Sequence, residues 1–297
     1  MASEAPGSSA PPRKVWAVLG VALLAVSFAS IFIRWADAPG VVVAFYRMAL
    51  AGILMAPLTR AGLRRTPPNA RAWRASLLAG LMLAVHFAAW ITSLSYTTVA
   101  ASVSLLASTP LWVVLFAWTF QRRPPSAAQL TGVLVAVGGA AVVGYGDLAG
   151  GPQPLVGDLL ALVGAAAAGA YLLFGRQAQA SGMGLQAYAG TAYAVAALVL
   201  APMPLLVGAP YLGYPLSTYL FIALLALIPQ LVGHTGINYA AKHLDPTLVA
   251  STLLTEPVAS GLLALIIFSE RPSLATIVGA AILLAGIAIA VRAAPQR

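Results

Sequence analysis

Gln230, His234 and Asn238 recur at intervals of four inside one long apolar stretch, and His86 and Trp90 repeat that interval inside another. Residues four apart share a helix face, so each set would line one side of a helix with amide, imidazole or indole groups. Such faces suit a small molecule with a polar end and an apolar or aromatic part: rings stack, while imidazoles and amides orient the polar end. The competing reading of His86 is a helix-packing hydrogen bond to a serine or a backbone carbonyl. Ser104 and Ser108 form a hydroxyl pair at the same interval, as do Ser251 and Thr255; these either line a cavity or pack helices, as hydroxyls commonly do in membranes. Glu256 is the one acid well inside an apolar run. When neutral it can donate a structural hydrogen bond, and when it titrates it can carry a proton; a structural or gating role is favoured. Arg47 lies about two turns inside another run, placed to snorkel or to meet a carboxylate or helix end, with pairing to Glu256 disfavoured.

The medium around these groups follows from composition. Of 297 residues, 61% are hydrophobic and 8% charged, against about 25% charged in a soluble domain. The chain therefore reads as an all-α polytopic membrane protein. A spanning helix needs about 20 mainly apolar residues, and turn signals and charges divide the chain into ten candidates. They run 15–35, 40–58, 73–94, 97–119, 127–145, 157–176, 184–207, 216–239, 246–268 and 274–292. Residues 1–12 are polar and proline-rich and read as a disordered tail. Arg13 and Lys14 before the first run suggest a signal anchor instead of a cleaved leader.

Loop charges give an orientation. With the N-terminus inside, thirteen Lys and Arg fall on the cytoplasmic side and two, Arg34 and Arg271, outside, with Arg47 within a span. This alternation predicts ten spans with both termini inside. The net charge of +9 belongs to that asymmetry, so no nucleic-acid partner is expected; lipid is. Two Lys against fourteen Arg, with abundant Ala and Gly, suggest a GC-rich bacterial genome and hence the bacterial inner membrane.

A hairpin occurs twice. A shift of 147 superposes Thr109–Gly144 on Glu256–Val291 without a gap, matching Pro110 with Pro257, Ser126 with Ser273, Gly132 with Gly279 and Gly139 with Gly286. The same shift places Ser104 and Ser108 on Ser251 and Thr255, and Thr109 on Glu256. A weaker match at 142 pairs Arg34 with Arg176 and Tyr46 with Tyr188. The halves then read as 13–147 and 148–297, five spans each, and an odd number inverts the second copy relative to the first. Pro110 and Pro257 each remove a backbone donor and are expected to bend their helices as hinges or gates.

Enzyme chemistry finds little support. No cysteine is present, so there is neither a thiolate metal site nor a thiol nucleophile. Zinc-protease and esterase motifs are absent. Gly144-Tyr145-Gly146-Asp147 matches an intramembrane aspartyl protease string, but that reaction needs a second intramembrane Asp, and Asp37, Asp158 and Asp245 fall at span ends. No catalytic residue, metal or cofactor is expected.

The segment ASTLLTEPVASGLLALIIFSERPSLATIVGAAILLAGIAIAV, Ala250–Val291, resembles the EamA signature, with its Glu-Pro, its Glu-Arg-Pro turn and its glycine-rich last span. The first-half counterpart is similar, with Thr109 in place of the Glu and Arg122-Arg123-Pro124-Pro125 in place of the acidic turn. The resemblance implies the drug/metabolite transporter superfamily, with five-plus-five inverted repeats around a central cavity for small metabolites. With the aromatic and imidazole groups it points to an exporter of amino acids with apolar or aromatic side chains, similar to the aromatic amino acid branch. Export of purines, drugs or other metabolites is the alternative within transport; an intramembrane enzyme or structural membrane protein is the alternative outside it. Small-residue ridges such as Ala136, Ala140 and Gly144 would either dimerise or pack spans within the chain.

Overall fold

In lipid every backbone polar group must be satisfied within the protein, and the chain answers with helices throughout. The computed structural model describes residues 13–122, 124–148, 151–244 and 252–293; the N-terminal tail, Arg123, Ser251 and the last four residues lie outside them. The helical segments are α1 (Arg13–Ala36), α2 (Gly40–Arg65), α3 (Ala70–Ser93), α4 (Val99–Thr119), α5 (Ala127–Gly146), α6 (Pro154–Ala180), α7 (Leu185–Leu206), α8 (Leu216–Ala240), α9 (Glu256–Phe268) and α10 (Leu274–Arg292). Among the described residues, nine are long and apolar enough to cross a membrane, and α9 is shorter. The expected ninth span begins at 246, outside the described residues, and only its latter part is seen as α9. Large apolar side chains such as Leu24, Ile53, Leu134 and Ile266 are exposed on the outside of the bundle.

The duplicated hairpin repeats its backbone in detail. A turn at Ala107–Ser108 precedes the helical segment Thr109–Gln121, and a turn at Leu254–Thr255 precedes α9. Each segment ends at a left-handed residue, Arg122 (φ 53°) or Ser269 (φ 55°), whose N–H bonds the carbonyl of Ala117 or Ala264. The next helices are capped by Ser126, accepting from Gln129 N, and Ser273, accepting from Thr276 N. All these pairs are 147 apart. Pro110 and Pro257 stand in the first turn of their segments, where a missing N–H costs nothing. The chain is broken just before each proline instead of bent around it.

Glycines set how closely the helices approach. A Cβ on Gly139 would lie 2.3 Å from Leu283 N, and one on Gly286 2.4 Å from Ala136 N. Gly132 meets Ala290 and Gly279 meets Val143. Contacts that rise along α5 while falling along α10 make the pair antiparallel, and exchanging each residue for its counterpart at 147 reproduces the list of contacts. α2 and α7 pack in the same sense, with Gly62 on Ala187 and Gly52 on Ala194. Gly164 brings α6 onto Trp90 of α3, and Gly233 brings α8 onto Val26 of α1. The ridge of Ala136, Ala140 and Gly144 thus lies mainly in intrachain packing: Ala136 and Ala140 join clusters with α10 residues, and Gly144 faces Asp158. The main core runs through α1, α2, α3, α6, α7 and α8.

A matched pair of substitutions tests this packing. Gly138 has nothing within 4 Å of an added Cβ. Gly138→Ala should hold or slightly raise the apparent Tm in detergent, because alanine favours helix by about 1 kcal/mol. Gly139→Ala should lower it, since overpacking against backbone costs about 1–3 kcal/mol. Equal effects would show that α5 and α10 do not pack this tightly.

Candidate functional site

The polar groups inside the bundle converge on one arginine and one phenylalanine. Arg47 of α2 is fully buried; its Nε donates to Gln230 Oε1 of α8 at 3.0 Å, and its Cζ lies 4.1 Å from the Phe87 ring centroid on α3. A guanidinium over an aromatic face is attracted by the ring's negative quadrupole. His234 meets the other side of this cluster edge-on, 5.7 Å from Phe87 at 82°. Tyr193 of α7 contributes a hydroxyl that contacts Thr235 Oγ1 at 3.3 Å. Glu256 makes no ion pair with Arg47 within 4.0 Å among the described residues.

Gln230 and His234 belong to a π-helical stretch, Ala226–His234, containing Pro229. Proline cannot donate to the ladder, and the wider i→i+5 turn is a form frequent at functional sites. Gln230, His234 and Asn238 fan out to α2, α3 and α6, where Asn238 Nδ2 reaches Tyr171 Oη at 3.4 Å and Tyr171 stacks on Tyr188. Gln230 is fully buried, while His234 and Asn238 retain partial exposure.

His86 and Trp90 are stacked, with centroids 5.9 Å apart and planes at 12°. His86 Nδ1 contacts the Gly164 carbonyl at 2.9 Å, the backbone partner that the packing reading anticipates, yet the ring also touches Phe87. The hydroxyls lie elsewhere. Ser104 is buried in α4, and Ser108 lines an apolar cavity of about 170 Å³ with Leu111, Trp112 and Leu283. Thr255 bonds Thr252 O in its own turn and is exposed; Ser251 lies outside the described residues. Thr109 bonds Leu106 O, so it does not reproduce the position of Glu256 against Arg47. Phe87, Tyr171 and Tyr193 are additions that sequence spacing does not single out.

A second polar cluster closes the end of the bundle opposite the first residues of α1. Arg34 Nη2 donates to Thr97 O at 2.9 Å and stands 4.0 Å from Glu270 Oε2. Glu270 Oε1 accepts the Val99 N–H at 2.8 Å. Thr98 donates to Asp147 Oδ1 at 2.6 Å, and Thr97 Oγ1 contacts both Asp147 and, at 3.0 Å, Asp158. A Cβ on Gly157 would sit 2.6 Å from that of Thr97, so glycine permits the approach. One hydroxyl proton serves one carboxylate at a time, so Thr97 joins the two acids through a single O–H. Burial pushes the Glu270 carboxyl upward, with Asp147 adding to the rise and Arg34 and the Val99 N–H opposing it. Beside the cluster a cavity of about 440 Å³ is lined by Ile33, Arg34, Asp37, Ile91 and Ser95.

Comparison with known proteins finds similarity at the level of a family and of a fold. The model of the EamA-like transporter family matches residues 14–145 and 155–292. A crystal structure of another protein is similar with TM-score 0.64 at 20% identity, over 94% of this chain and 97% of its own, a likeness of fold. No curated protein matches significantly.

The closed end should respond to pH. Glu270 binds its proton more tightly in the closed cluster than when opened to water, so closure is strongest at acid pH and weakens as pH rises from the ordinary value of 4.5 through the raised one. Ile91 is buried beside this end, and the chain has no cysteine. Labelling of Ile91→Cys in detergent, normalised to exposed Ser95→Cys, should be faster at about pH 8 than at about pH 5, with a smaller difference in Glu270→Gln. Equal normalised rates would contradict the proposed closure.

Proposed function

The chain belongs to the EamA-like transporter family, a family of membrane transporters of small metabolites, and on that premise we propose that it is a secondary exporter of amino acids with apolar or aromatic side chains. One observation carries this reading. His86, Trp90, Gln230 and His234 meet around Phe87 and Arg47, between helices from both family-matched segments. Aromatic faces there suit a side chain, and imidazole, amide and guanidinium groups suit a zwitterionic end. A purine or drug would use the rings but not the charge.

Transport would proceed by alternating access of two inverted five-helix repeats, with both termini inside a bacterial inner membrane. Support comes from the antiparallel, mutually exchangeable contacts of α5 and α10 and from the loop charges. In this arrangement the Arg34–Glu270 end faces outward and is shut. Arg176, the counterpart of Arg34, is exposed at the other end. The breaks before Pro110 and Pro257, and the π turn at Pro229, are the joints at which segments would swing, and Glu256 beside Arg47 would gate the site.

Uptake of labelled amino acids into proteoliposomes, with and without an imposed pH gradient, tests the reading. Flux of an apolar or aromatic amino acid is expected. His234→Ala should reduce it by about tenfold, the scale of 1.4 kcal/mol, with little change in Tm; His86→Ala should also reduce it, with some loss of stability from the Gly164 contact. No flux for any amino acid would overturn the proposal, and full flux in both variants would return the histidines to packing.

A further inference from the structure

The hydrogen-bond donors around Arg47 are unbalanced. Its Nε is satisfied by Gln230, but Nη1 and Nη2 have no protein hydrogen-bond partner among the described residues. At hydrogen-bond distance the same holds for Gln230 Nε2, whose nearest polar neighbour is the Tyr193 hydroxyl, and for Trp90 Nε1, on side chains that are 0% and 2% exposed. All four atoms donate and none accepts. Leaving such groups unpaired costs more than a single hydrogen bond returns, above all on a charged side chain, so their arrangement calls for an acceptor-rich ligand.

Resting on the transporter reading above, we infer that Arg47 and Gln230 form the subsite for the carboxylate of the transported molecule. A guanidinium held by its Nε presents both Nη groups as a planar fork, the geometry that takes a carboxylate through two parallel bonds. The Phe87 ring lies against the guanidinium, its centroid 4.1 Å from Cζ. Gln230 Nε2 is available as a third donor, and the His86–Trp90 stack offers an aromatic surface next to the charge. Glu256 makes no ion pair with Arg47 within 4.0 Å among the described residues, which leaves the guanidinium fork to the ligand. The ligand class that follows is a monocarboxylate bearing an apolar or aromatic group, and the amine of an amino acid is secondary to this subsite.

Binding to the purified protein separates the possibilities, using L-phenylalanine, 3-phenylpropionate, L-phenylalanine methyl ester and phenethylamine as probes. The two carboxylates should bind, and the ester and amine should bind at least about tenfold more weakly. Arg47→Lys keeps the charge without the fork and should weaken carboxylate binding. Gln230→Glu places a carboxylate on the guanidinium, so the protein should fold while losing carboxylate binding. Binding of 3-phenylpropionate alone, lost in Gln230→Glu, would uphold the subsite and overturn the amino-acid reading. Equal binding of phenethylamine and phenylalanine, or unchanged carboxylate affinity in a folded Gln230→Glu protein, would overturn the subsite. No binding by any probe would overturn both.

Discussion

A guanidinium with no exposed surface lies inside an otherwise apolar bundle, and the arrangement around it follows from the cost of keeping it there. Taking an unpaired charge out of water costs several kcal/mol, and Arg47 recovers part of that through Gln230 and the face of Phe87. Each partner fixes a different helix. Gln230 requires α8 to present an amide to α2, which it does from the π stretch Ala226–His234 that contains Pro229. Phe87 ties α3 to the same point and carries His234 on its edge.

Around this centre the packing is repetitive and close, which makes the two ends of the bundle the places where it can change. Glycines bring α5 to α10 and α2 to α7 backbone against backbone. The opposite regime holds at the Arg34–Glu270 end, where one cation, three acids and two threonine hydroxyls join residues from both family-matched segments. Charge-assisted bonds of this kind are strong when closed and yield readily to water. Apolar ridges hold the helices as rigid units, while the polar end supplies a contact that can open without disturbing them.

Much of this was legible in the sequence where the information is local. The hairpin at a shift of 147 recurs down to the left-handed residues Arg122 and Ser269 and the serine caps, because caps, prolines and close-packing glycines are written in single residue types. The Arg47–Gln230 bond was not legible: its partners are 183 residues apart, and helical periodicity does not say which faces meet. The interval of four put Gln230, His234 and Asn238 on one side of α8 but could not name their partners on α2, α3 and α6. Asp158 read as an acid at a span end and Asp147 as the close of a Gly-Tyr-Gly-Asp string, because their partners, Thr97 and Thr98, lie far away in sequence in a stretch without charge.

The central claim is that the buried site is reached from one end at a time, with the Arg34–Glu270 end as one of the two doors. Thr97 and Asp158 touch across that door, and the chain offers no competing cysteine, so Thr97→Cys with Asp158→Cys can lock it. In proteoliposomes, exchange of a labelled substrate should proceed in the reduced double variant, stop on oxidation and return with reductant, while binding in detergent persists throughout. Exchange at the full rate with the cross-link formed would contradict the account.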